Sequence, residues 1–133
     1  MRKKNKRIEW VNAFDVKKRS VLLVKGSGIN WLKLKKIYFI RSYNSKSNAY
    51  ARIWGLPRLW QIVLNLKPAY IIEVISEKYD KLPDRQKDKI LYHELAHIPR
   101  TFSGSLVPHF KKGKRKFSNI VNKLAKACSN NCI

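Results

Sequence analysis

The segment PDRQKDKILYHELAHI, residues 83–98, decides how this chain is read. Pro83 suits the first position of a helix, and Asp84 and Asp88 place negative charge near the positive end of its dipole. Pro99 has no N–H and forces Ile98 out of helical geometry, so the helix is expected to end there. His93 and His97 lie four apart and so project from one helix face, about one turn from each other. Two imidazoles held in this way can take adjacent corners of a tetrahedral zinc site. Glu94 follows the first histidine, beside the metal but off the line of the ligands, where it can take a proton from water. A catalytic zinc needs one more protein ligand, and the third histidine of the chain, His109, comes just beyond the turn TFSGS with Pro108 stiffening its approach.

Composition bounds the rest. The 133 residues are long enough for one domain with a real core, and 44% of them are hydrophobic, which excludes a disordered chain. The expected organisation is a single domain over 1–133, with a basic tail at about 1–8 and a polar tail at 128–133. No apolar run reaches the length of a membrane span, and no apolar stretch follows the basic N-terminus as a secretory signal requires, so the expected location is the cytoplasm. Thirty Lys and Arg against eight Asp and Glu give a formal charge of +22, which attracts polyanions and makes nucleic acid an expected partner through the basic surface. Cys128 and Cys132 are separated by three residues in a polar tail, without a second pair, and no role is assigned to them.

Upstream, WVNAFDVKKRSVLLVKG reads as a helix, with Ala13, Val16, Ser20, Leu23 and Val24 near one stripe and Gly26 and Gly28 as the stop. KKIYFIRS, AYARIW and AYIIEVIS read as three strands, the first two joined by the polar loop NSKSN. Between the second and third, GLPRLWQIVLNLKP suits a short helix with Leu59, Ile62, Val63 and Leu66 as its apolar face, though a strand fits as well. A last helix is expected after Pro108, with Phe117, Ile120, Val121 and Leu124 on one side. The order of elements defines an α+β domain.

Further residues are candidates around the histidines. Glu73, Glu77 and Asp80 are placed where they could orient a histidine N–H, or could serve the surface and the turn instead. Tyr92 sits beside a ligand and either stabilises an oxyanion or packs on the sheet. Arg41, Arg52 and Arg58, interleaved with Tyr50, Trp54 and Trp60, either grip a phosphate or carboxylate or pack as ordinary snorkelling arginines.

RSYNSKSNAYARIWGLPRLWQ, YIIEVISEKYDKL and YHELAHIPRTFSGSLVPH together resemble the zinc metallopeptidases of archaeal and phage genomes, the phage metallopeptidase domain, over roughly residues 37 to 109. A more distant likeness is to SprT-like proteases, which act on DNA-bound proteins; this chain lacks their zinc-ribbon cysteines. The resemblance implies a zincin-like fold, with a small mixed sheet of about three strands over the HExxH helix. It also implies His93, His97 and His109 as zinc ligands and Glu94 as general base, hydrolysing a peptide or protein substrate with zinc-activated water. By fold analogy, the strand Tyr70–Ile75 would be the cleft edge that takes an extended peptide by strand addition. The rival reading is a basic nucleic-acid-binding protein whose zinc is structural. A carboxylate at Glu94 argues against it, because a structural site closes its fourth corner with another ligand.

Overall fold

The computed structural model describes residues 6–108. It is α+β, with helices packed on a mixed four-stranded sheet. The elements run β1 (Glu9–Asn12), α1 (Phe14–Ser27), β2 (Ile37–Tyr43), β3 (Ala51–Gly55), α2 (Arg58–Val63), β4 (Tyr70–Ile75), α3 (Ser76–Tyr79) and α4 (Asp84–Leu95). A short 3-10 turn at Leu34–Lys36 leads into β2.

The strand order is β1-β2-β4-β3. The pair β2 and β4 is parallel, in register Ile37 to Tyr70 and Phe39 to Ile72, while β1 and β3 close the two sides antiparallel. Two sequence expectations are corrected here. The sheet has four strands rather than three, because Glu9–Asn12, expected to join the first helix, pairs along β2 instead. Trp10 and Val11 have the side chains a pleated surface accepts, and the open edge of β2 decides their conformation. In addition, β4 is not an edge: β2 and β3 take up both its sides, and the edge beside the helices is β3.

Alternation along the strands gives the sheet two unlike faces. On one, Ile37, Phe39, Ala51, Ile72 and Val74 pack against Val16, Ser20, Leu23 and Val24 of α1 and Leu91 and Leu95 of α4 to form the core. The expected stripe of α1 is thus the buried one. Arg19 ties the two helices together, its guanidinium 2.8 Å from Asp88 and 3.0 Å from Asp84. Arg41 at the rim joins Asp15 at 2.7 Å to Asp80 at 2.8 Å.

The helix α2 departs from its expected orientation. Leu59, Ile62, Val63 and Leu66 are between 49 and 70% exposed, and the residue it buries is Gln61. That amide donates to the carbonyls of Leu56 at 2.8 Å and Ser103 at 2.9 Å, so a polar contact rather than an apolar stripe anchors the helix. No helix of the described residues is long and apolar enough to cross a membrane.

Candidate metal and catalytic site

The helix α4 delivers the site through its last turn. Leu91, Glu94, Leu95 and Ile98 fall at the spacing of one buried stripe, so Glu94 occupies a core-facing position. Pro99 stops the helix, and its final bonds tighten: His97 N–H donates to the Glu94 carbonyl at 3.1 Å and Ile98 N–H to Leu95 at 3.1 Å, each three residues back. The regular helix therefore ends at Leu95, earlier than the sequence suggests, and His97 sits on the tightened turn. The two imidazoles still meet, edge-on, with centroids 5.2 Å apart at 78°.

A second segment meets them. His97 Nδ1 lies 2.6 Å from the carbonyl oxygen of Val107, and Val107 N–H donates to the His97 carbonyl at 2.7 Å. A carbonyl only accepts, so Nδ1 carries the proton and Nε2 carries the lone pair of the neutral ring. This is how an outer carbonyl usually sets the tautomer of a metal-ligating histidine.

The loop that carries Val107 is latched to the sheet. Gly104, at φ +95°, adopts a backbone conformation that favours glycine, and its N–H donates to the Tyr70 hydroxyl at 2.8 Å. The same hydroxyl donates to the Ser105 carbonyl at 2.8 Å, and the Tyr70 ring meets Phe102 edge-on at 4.9 Å. Gly55 has no room for a side chain, since a Cβ there would stand 2.0 Å from the Gly104 carbonyl oxygen. Gln61 holds the loop from its other side through Ser103. The stretches WGLPRLWQ and TFSGS, far apart in sequence, are two halves of one contact; their glycines are the sequence signal for it.

Beside the histidines opens a cleft of about 640 Å³, lined by residues 49–53 along edge strand β3, by Lys89, Ile90, His93 and Glu94 of α4, and by His97 and Leu106. Glu94 is 8% exposed, and burial pushes its carboxyl up to about 7. A carboxylate at the head of a cleft, buried among core side chains, can exchange a proton with a molecule in that cleft.

The other candidates fall elsewhere. Glu73 projects from the opposite face of the sheet and gives its carboxylate to Trp54 Nε1 at 2.9 Å and Arg52 at 3.2 Å. Asp80 bonds Arg41 and Ser76, and Glu77 accepts from the Asn44 N–H. Arg58 opens α2 outside the cleft lining, and Tyr92 is buried in the core. Among the described residues no group of three or more metal-ligating side chains converges. His109, Cys128, Cys132 and the expected last helix lie outside the described residues.

A family model described as "Putative phage metallopeptidase" matches residues 8–126 of the chain. The chain belongs to that family, whose name describes a metal-dependent peptidase. Searches of the curated proteins and of the solved structures found no match.

Proposed function

We propose that this protein is a zinc metallopeptidase of zincin-like architecture, with His93, His97 and His109 as ligands and Glu94 as the general base. The carrying observation is the bond between His97 Nδ1 and the Val107 carbonyl, which presents Nε2 as the ligating nitrogen beside a second imidazole and a buried carboxylate. The donor set fits the metal: neutral imidazole is a preferred ligand of zinc, and a catalytic site keeps one position open. His109 follows Val107 by two residues in the sequence, at most about 7 Å of chain, and this reading takes it as the third ligand.

Zinc, when bound, supplies a Lewis acid that polarises a carbonyl and acidifies water. The rest is the work of this chain. Glu94 accepts the proton of the attacking water and returns it to the leaving amine. Among the described residues β3 is an edge strand along the cleft, and an extended peptide adds to it as a further strand. Leu106 and Ile90 give the cleft apolar walls.

Glu94→Gln tests the assignment. Elemental analysis of tag-free protein should find about one zinc per chain in both forms. Cleavage of a peptide library should fall by about 100-fold to 10,000-fold in the variant. Loss of zinc from Glu94→Gln would make Glu94 a ligand, and absence of zinc from the resupplied wild type would end the peptidase reading.

A further inference from the structure

The face of the sheet turned away from the helices carries a pattern that hydrolysis does not use. Strand register places Tyr38, Ile71 and Trp54 side by side across β2, β4 and β3. They are 51, 38 and 49% exposed, and Trp10, on the same face beside Ser42, is 58% exposed. Two of these rings and the isoleucine form a continuous apolar row on a half-bare sheet.

One of the rings is held in place by a buried charge. Glu73, on the same face, is 1% exposed, and burying a carboxylate is unfavourable unless its oxygens are paired. Its oxygens go to the indole N–H of Trp54 and to Arg52, whose guanidinium lies 5.0 Å from the Trp54 ring centre. A buried anion thus orients a half-exposed tryptophan, which loses little entropy on meeting a flat partner.

Charge selects that partner. Of the two carboxylates carried by the strands, Glu9 and Glu73, register puts Glu73 on this face, and it is covered. Where β2 and β4 begin, Lys33, Lys35, Lys36 and Lys67 surround a cleft of about 400 Å³. Lys36 closes the 3-10 turn that leads into β2, two residues before Tyr38. Ammonium groups ahead of a row of exposed rings match a polymer with phosphates along its backbone and flat bases beside them.

We propose that this open face binds single-stranded nucleic acid, with bases stacked on Tyr38, Trp54 and Trp10 and phosphates held at Lys35, Lys36 and Lys67. It reaches beyond the peptidase reading and does not rest on it, since the face lies across the sheet from Glu94.

The test is fluorescence anisotropy of labelled oligodeoxythymidylate and oligouridylate against the full chain, with heparin as a polyanion that has no bases. Tyr38→Ala and Trp10→Ala should each weaken binding of at least one single strand by about fivefold or more, while heparin binding is unchanged. Tyr38→Phe keeps the ring and should bind as wild type. Replacing Lys35, Lys36 and Lys67 by Gln should flatten the salt dependence by about 0.7 log units per log unit of salt for each phosphate that is no longer neutralised. Unchanged affinity in both alanine variants overturns the proposal and assigns the charge to a generic polyanion surface, whether the face is then bare or covered by residues 109–133. Equal weakening of heparin and single-strand binding in those variants also overturns it, because the rings would then act through the fold.

Discussion

The two faces of the sheet use similar side chains to opposite ends. On the covered face, Ile37, Phe39, Ile72 and Val74 disappear under α1 and α4, and that packing fixes where Glu94 and the histidines stand. On the open face, Tyr38, Ile71, Trp54 and Trp10 keep much of their surface bare, and the buried carboxylate of Glu73 orients its neighbours. The first face converts apolar area into stability and so into the placement of Glu94 and the two histidines. The second leaves that area in contact with solvent, on the surface proposed to take up single-stranded nucleic acid.

Four substitutions probe the contrast. Leu91→Ala, at a fully buried position under the covered face, should cost about 3–5 kcal/mol through the cavity it leaves, read as a lower denaturant midpoint. A loss under about 1 kcal/mol would mean α4 is less firmly seated than the site requires. Gly55→Ala should cost about 3 kcal/mol, because the backbone of Gly104 must move, and should lower zinc affinity as the latch at Val107 loosens. Full zinc affinity in that variant would uncouple the latch from the histidines.

Glu73→Gln belongs to the open face, and its effect depends on pH. Burial alone would raise the Glu73 carboxyl, but hydrogen bonds from Arg52, Trp54 and Ser42 outweigh it and hold the pKa below the ordinary 4.5. The stabilisation from this group is complete above the unfolded value and is lost as pH falls through the folded one. Wild type should therefore lose stability in acid more steeply than Glu73→Gln, by about 1–2 kcal/mol in urea titrations run from neutral to acid pH. Parallel acid limbs would remove Glu73 from the account of the open face. Smallest of all, Tyr38→Ala should change stability by less than about 0.5 kcal/mol, since the ring is half exposed. A large loss would mean the ring is covered in the full chain.

Much of the α4 site was legible from residue spacing. The four-residue spacing of His93 and His97 ahead of Pro99 brought two imidazoles together with Glu94 between them, although the regular helix stops at Leu95 and His97 lies on the tightened turn after it. What spacing missed was governed by partners. Nothing in EWVN separates a strand from the start of a helix until β2 offers it an edge. The apolar residues of α2 suggested a buried stripe, but Gln61 finds two carbonyls and turns the helix over. Glu73 precedes α4 in sequence and invited a place near the histidines. Strand alternation sends it to the far face, because neighbouring residues on a strand point in opposite directions.

By itself, then, the sequence determined the local chemistry of this protein: its charge, the helix and terminal turn that bear the HExxH set, and the glycines that allow a tight loop. Each of these depends on a residue and its near neighbours along the chain. Only the tertiary structure decided which strand became the edge of the cleft, which nitrogen of His97 carries the lone pair, and which aromatic rings stay exposed. Those outcomes depend on contacts between distant segments, Gly55 with Gly104 and His97 with Val107, and the energy of such a contact exists only once both segments are in place.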